Sequence, residues 1–191
     1  ITVIPNSIDA PCSYTLTTGG YIAYIGRLSY EKGYDLLVEV ARKHPEIKFR
    51  FAGAQREQKN TDIPSNVEFA GYLQKDKLLE FIQKARFIVI PSRCYEGFPM
   101  AILEAACHGK LAIASNHGGF TEIIGQGENA IGKLFEPGNT DDLDKQIAEL
   151  WNNQTLTEEL GEKAFRKLKK HYDSEVVYKQ WETLFSKLKN S

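Results

Sequence analysis

The sequence lacks long apolar runs. The longest stretches, residues 87–91 and 111–114, fall far short of the roughly 20 residues a membrane span needs, so no spanning helix is expected. Cysteine is scarce. Cys12, Cys94 and Cys107 are odd in number and widely spaced; they form neither a CxxC pair nor a disulfide framework, which points to a reducing cytoplasm. No excess of one charge exists either. Lys and Arg total 24 against 25 Asp and Glu, for a net charge of −1, which excludes a basic nucleic-acid binder and a disordered acidic tail. The four histidines, His44, His108, His117 and His171, have no ligand spacing, and no metal site emerges from them. The sequence opens without an initiator Met, and its first residues are not expected to be a signal peptide. The chain opens on Ile1-Thr2-Val3-Ile4-Pro5, which reads as a strand already running and suggests a piece of a longer protein.

What is present is a composition that can form a core. The 191 residues suit one ordinary domain, and 42% hydrophobic content is enough for a core that hides about 70% of the unfolded chain's surface. Short β-rich runs alternate with helix-periodic ones. Strands are expected at residues 21–25, 48–52, 67–69, 87–90 and 111–114, with a last one within 130–135. Helices are expected over 34–43, around 78–85, and over 99–108 with Pro99 in the first turn; residues 55–66 read as a polar loop. The final third reads as three helices: one capped by Thr140 or Asp141, one over 156–170, and one starting at Asp173 and Ser174. Strand–helix alternation with strands buried on both faces predicts a Rossmann-like, doubly wound parallel sheet, α/β in class, with helices on both faces and extra C-terminal helices.

Three strings imitate known motifs and fail on context. Residues 127–133 have P-loop spacing, but Leu134 stands where Ser or Thr is needed and the string leads into a strand. Residues 125–130 fit GxGxxA with the flanking elements reversed. Asp142-Leu143-Asp144 is a DxD, yet it falls in the first turn of a helix, where the helix dipole favours acidic residues.

Two segments carry chemistry. In Gly26-Arg27-Leu28-Ser29-Tyr30-Glu31-Lys32-Gly33 a strand ends, Gly26 turns the chain, and two cations follow five residues apart. Ligands of doubly wound sheets bind at carboxyl ends of strands, and Arg27 and Lys32 together suit a diphosphate; solvated surface charges are the plainer alternative. In residues 91–105 a buried strand runs through a loop into a helix. Glu96 precedes that helix, where free N–H groups suit sugar hydroxyls or phosphate oxygens. Glu104 lies within it among apolar neighbours, where a carboxylate is costly without a partner. A ribose diol is one such partner; backbone or a lysine is another.

Glu96 and Glu104 are eight positions apart, the EX7E spacing. With the upstream GR…EKG, the downstream His117-Gly118-Gly119-Phe120-Thr121-Glu122, and Val3-Ile4-Pro5-Asn6-Ser7-Ile8-Asp9 at the start, the sequence resembles the C-terminal, donor-nucleotide-binding domain of family 4 retaining glycosyltransferases of the GT-B fold. The resemblance covers nearly the whole chain in order. It implies catalytic roles for Arg27 and Lys32, on the donor diphosphate, and for Glu96, beside the donor sugar. It implies that Glu104 accepts hydrogen bonds from the ribose. Gly26 and backbone groups of Gly97, Phe98, Pro99, Met100 and Ala101 would contact the diphosphate and sugar, Tyr72 and Leu73 the base, and Gly118 and Gly119 the phosphates. Pro99 replaces the commoner Gly and removes one N–H, and Ser7 replaces a Gly.

The implied function is transfer of a sugar from a nucleoside-diphosphate sugar to an acceptor hydroxyl, in glycan, lipopolysaccharide, capsule or glycolipid synthesis, with no metal or cofactor. The implied partners are the nucleotide sugar and a glycan or lipid-linked acceptor, the latter held by an N-terminal domain outside this sequence. The implied location is cytoplasmic, with peripheral membrane association of the parent left open. The segmentation is residues 1–19 as interdomain boundary strand and linker, 20–172 as the nucleotide-sugar domain, and 173–191 as an amphipathic helix that packs either on the other half or on this domain's own sheet. The fragment alone is expected to be inactive. Competing readings are a non-catalytic nucleotide-sugar-binding module, and a related GT-B epimerase or phosphorylase.

Overall fold

The computed structural model describes residues 1–54 and 62–189. Six strands, β1 (Ile22–Ile25), β2 (Phe49–Ala52), β3 (Val67–Gly71), β4 (Phe87–Ile90), β5 (Ala112–Ser115) and β6 (Lys133–Phe135), form one sheet in the order β3-β2-β1-β4-β5-β6. Every pairing is parallel. The order reverses between β1 and β4, so the connections leave the carboxyl ends of these two neighbours in opposite directions and open a crevice there.

Helices α1 (Tyr34–Lys43), α2 (Asp76–Lys84), α3 (Met100–Ala106), α4 (Gly118–Ile124), α5 (Thr140–Asn152), α6 (Gln154–His171) and α7 (Ser174–Lys189) complete the fold. They cover both faces, as the strand alternation requires. On one face Ala23, Ile88, Ile90, Ala112 and Ala114 pack with Ile82, Leu103 and Phe120 of α2, α3 and α4. On the other Ile22, Tyr24, Phe49, Phe51, Phe87, Val89 and Ile113 pack with Leu37, Val40, Leu143 and Ile147 of α1 and α5. The first face uses small residues and brings α3 close to the sheet; the second is filled by aromatic rings.

Several expectations are corrected. Residues 1–5 form no strand: this segment has no ladder partner, and its continuation makes only a single bridge, Ile8 to Asp173. The third helix is shorter than 99–108. Pro99 is extended and stands before the first turn, and at the other end Gly109, in left-handed conformation, closes the helix as its N–H bonds Ala106 O while Lys110 N–H bonds Ala105 O. The cap of α5 is Asn139, neither Thr140 nor Asp141; its side chain accepts from Asp141 N (3.1 Å) and Asp142 N (3.0 Å). Of the polar loop at 55–66, residues 55–61 lie outside the described residues, and residues 62–66 are irregular up to β3. The imitation motifs behave as their context predicts. Gly127–Asn129 is a short 3-10 turn ahead of β6. Asp142 accepts from Glu136 N (2.7 Å), and Asp144 pairs with His44 (2.6 Å) and Lys43 (3.3 Å).

Among the described residues no helix is long and apolar enough to cross a membrane. Helix α7 buries Val177 and leaves Tyr178, Trp181 and Phe185 exposed, with the rings of Trp181 and Phe185 stacked 5.8 Å apart.

Candidate active site

At the carboxyl ends of β1 and β4 a cleft of about 310 Å³ is lined by Tyr24, Ile25, Gly26, Lys32, Ile90, Glu96, Phe98, Pro99, Met100 and Ala101. One wall is the turn after β1. Gly26 leaves the strand with its N–H on Ala52 O (3.0 Å). A side chain at Gly53 would strike Gly26 O at 1.7 Å, so a second glycine at the end of β2 allows this turn to lie flat. A single 3-10 turn then carries Lys32, and Gly33, in left-handed conformation, starts α1. A Cβ at Gly33 would lie 1.8 Å from Pro91 O, so only glycine lets this wall touch the other.

The other wall is the loop after β4 and the first turn of α3. Its charged group is Glu96, whose Oε1 accepts from Lys32 Nζ across the cleft. Both are half-buried, at 19% and 24% side-chain exposure, which distinguishes Lys32 from a solvated surface charge; Arg27, at 42% exposure, is not so distinguished. Ser92, fully buried, reaches the same Oε1 at 3.3 Å. Behind the loop, His117 Nε2 donates to Ser92 O (3.0 Å), since a carbonyl can only accept. That leaves His117 Nδ1 buried with no partner among the described residues. The His117 ring lies 4.8 Å from that of Tyr95. Gly119 N–H bonds Glu96 O at 2.8 Å. A Cβ at Gly119 would come within 2.5 Å of Gly97 O, so the paired glycines allow α4 to start against the loop.

The structure therefore brings Gly26, Lys32, Glu96, Phe98, Pro99, Met100 and Ala101 to one cleft. Gly97, Gly118 and Gly119 stand behind it on the Glu96 backbone. Arg27 is at its rim, 42% exposed, in an ion pair with Glu31 (3.3 Å). Glu104 sits one turn along α3 from Met100 and Ala101. It is half-buried and has no hydrogen-bond or ion-pair partner among the described residues; burial pushes its carboxyl above the usual range. Tyr72 is exposed, and Leu73 lines a separate hollow of about 580 Å³ with Arg50, Glu68 and Lys77.

Sequence reasoning missed the supports. Tyr24, buried beneath the turn, donates its hydroxyl to Arg27 O (2.6 Å). Arg93 ties the two walls together, with hydrogen bonds to Tyr30 O (2.7 Å) and to both oxygens of Asp35 (2.7 and 2.8 Å). Its place beside Ser92 and Glu96 was the available signal.

Fold and cleft define a doubly wound α/β protein whose ligand crevice carries a Lys–Glu pair at the switch point of the sheet. The chain matches the family model "Glycosyl transferases group 1" over residues 15–167, and it belongs to that family. It is 32% identical, over 84% of its length, to an uncharacterized glycosyltransferase of Methanocaldococcus jannaschii. The matched stretch is 46% of that relative, so the chain spans less than half of it. Similar solved structures include Anabaena HepE in complex with UDP (TM-score 0.77, 20% identity, 89% of this chain and 49% of that one). Another is sucrose-phosphate synthase from Thermosynechococcus elongatus (TM-score 0.80, 22% identity, 97% and 52%). These likenesses confirm the Rossmann-like half of a GT-B fold.

Proposed function

We propose that this chain is the donor-binding half of a retaining glycosyltransferase that moves a sugar from a nucleoside-diphosphate sugar to an acceptor hydroxyl in glycan, lipopolysaccharide, capsule or glycolipid synthesis. The observation that carries this is the meeting of Lys32 and Glu96 across the cleft at the carboxyl ends of β1 and β4. In this reading the donor diphosphate takes over the Lys32 ammonium and draws Arg27 from Glu31. The two cations then oppose the negative charge that builds on the departing nucleoside diphosphate as its bond to the anomeric carbon breaks. Glu96, released from Lys32, faces the donor sugar. The unpartnered carboxylate of Glu104 accepts the ribose hydroxyls, which offsets its burial. The acceptor attacks from the same face, through a transition state of oxocarbenium character. The proposal assigns the step no metal or cofactor, places the acceptor on a part of the enzyme beyond this chain, and sets the reaction in the cytoplasm. By itself the chain binds donor and does not turn over.

Calorimetry with UDP, GDP, ADP and NAD tests the reading. One nucleoside diphosphate is expected to saturate the chain while NAD does not. NAD binding without any nucleoside diphosphate binding overturns it. Donor binding with no transfer or donor hydrolysis by the longer protein identifies a non-catalytic binding module instead.

A further inference from the structure

Arg93 does not line the cleft, yet more of its bonds cross between the two walls than those of any neighbour in its loop. Its backbone N–H bonds Glu31 O at 2.8 Å, and Cys94 N–H reaches the same oxygen at 3.3 Å. Its guanidinium Nη1 bonds Tyr30 O at 2.7 Å, and the group lies 4.0 Å above the Tyr30 ring. Both nitrogens engage the Asp35 carboxylate in the first turn of α1, at 2.7 and 2.8 Å. Tyr30 and Glu31 are the two residues ahead of Lys32, and Asp35 is three beyond it. Arg93 therefore grips the chain on both sides of the cleft lysine while its own loop carries Glu96 three residues on. From behind, His117 and Gly119 hold that loop by the carbonyls of Ser92 and Glu96.

We propose that Arg93, with Asp35 as its partner, is a positioning residue that sets where the Lys32 ammonium stands, and so the strength with which the cleft holds a diphosphate. A planar two-point pair suits this task better than a lysine would, because guanidinium and carboxylate fix each other's orientation as well as distance. The pair is half-buried, so solvent screens it less than an exposed one. The proposal rests on the donor-site reading above, and its test separates the two.

Inorganic pyrophosphate is titrated calorimetrically into the 191-residue chain and into Lys32→Ala, Arg93→Ala, Arg93→Lys and the Lys32→Ala/Arg93→Ala double variant, with thermal unfolding followed for each. Arg93→Ala is expected to weaken pyrophosphate about tenfold with Lys32 present and by less than about twofold without it, since residues that act through one another are non-additive. Arg93→Lys is expected to keep the melting temperature while losing most of the affinity, and it serves in place of Arg93→Ala should that variant not fold. Equal losses in both backgrounds, or full affinity in Arg93→Lys, overturn the positioning role alone. Pyrophosphate affinity indifferent to Lys32→Ala, or absent in the unmodified chain, overturns the donor-site reading and the proposal with it.

Discussion

Each end of the sheet holds a lysine drawn out of solvent, and the two are employed differently. At the carboxyl end Lys32 faces a cleft and bonds a carboxylate that is itself partly open to solvent. At the amino end Lys110, 3% exposed, donates to Thr17 O (2.6 Å) and Thr17 Oγ1 (2.8 Å). The Thr17 hydroxyl passes the bond on to Gln83 O (2.6 Å). The hollow beside Lys110 holds only about 10 Å³, and the lysine fastens the N-terminal segment to the base of the domain. In the proposed reading Lys32 changes partners. Burial alone does not mark a functional lysine; a cavity beside it and an exchangeable partner do.

The largest effect that would break this contrast concerns activity. Lys32→Ala in the longer enzyme is expected to lower turnover by about 10²–10³-fold, the range for losing one group that opposes transition-state charge, with the melting temperature within about 2 °C of the parent. Steady-state kinetics and a thermal melt read both, and a Lys32 variant that keeps its rate removes the distinction. The converse holds at the other end. Lys110→Ala leaves Thr17 O without its charged donor, a loss on the order of 1.5–3 kcal/mol. The melting temperature should fall by roughly 5–10 °C with the pyrophosphate affinity unchanged.

Glu104 sharpens the comparison further. Its carboxyl is raised by burial, so the folded state disfavours the charged form and loses stability as pH rises through the unfolded value. Glu104→Gln is therefore expected to raise the melting temperature at neutral pH by about 1–3 °C, while weakening nucleoside diphosphate far more than pyrophosphate, which has no ribose. The smallest effect is a pH slope. Burial lowers Lys110 to about 8, below its unfolded value, so between about pH 8 and pH 10 the unfolded chain binds more protons and stability rises with pH, by at most about 1.4 kcal/mol per pH unit. The tyrosines raised by burial, Tyr14, Tyr21, Tyr24 and Tyr172, act in the opposite sense. The difference between urea midpoints of the parent and Lys110→Met isolates the lysine.

The strands and most helices were legible because their signals are local. Residues 87–90 read as a strand buried on both faces, and β4 has those bounds. The two walls of the cleft were legible for a related reason: glycines and charges cluster where a strand ends. What escaped depends on partners far along the chain. Arg93 and Asp35 are 58 positions apart, and nothing near either residue announces the other. The apparent strand at residues 1–5 has β propensity but no ladder to join, since β3 and β6 are the sheet's edges and neither pairs with it. Leu73, which the resemblance sets against the base, lines a hollow between β2, β3 and α2, outside the Lys32–Glu96 cleft.

The Lys32–Glu96 bond has a consequence for how the cleft fills. With the ammonium already matched by a carboxylate, and the whole chain near neutrality, an approaching anion meets little long-range attraction. In the proposed reading capture is then an exchange of partners at contact distance. In that reading the rate of capture depends less on ionic strength than it would with steering by an open positive field.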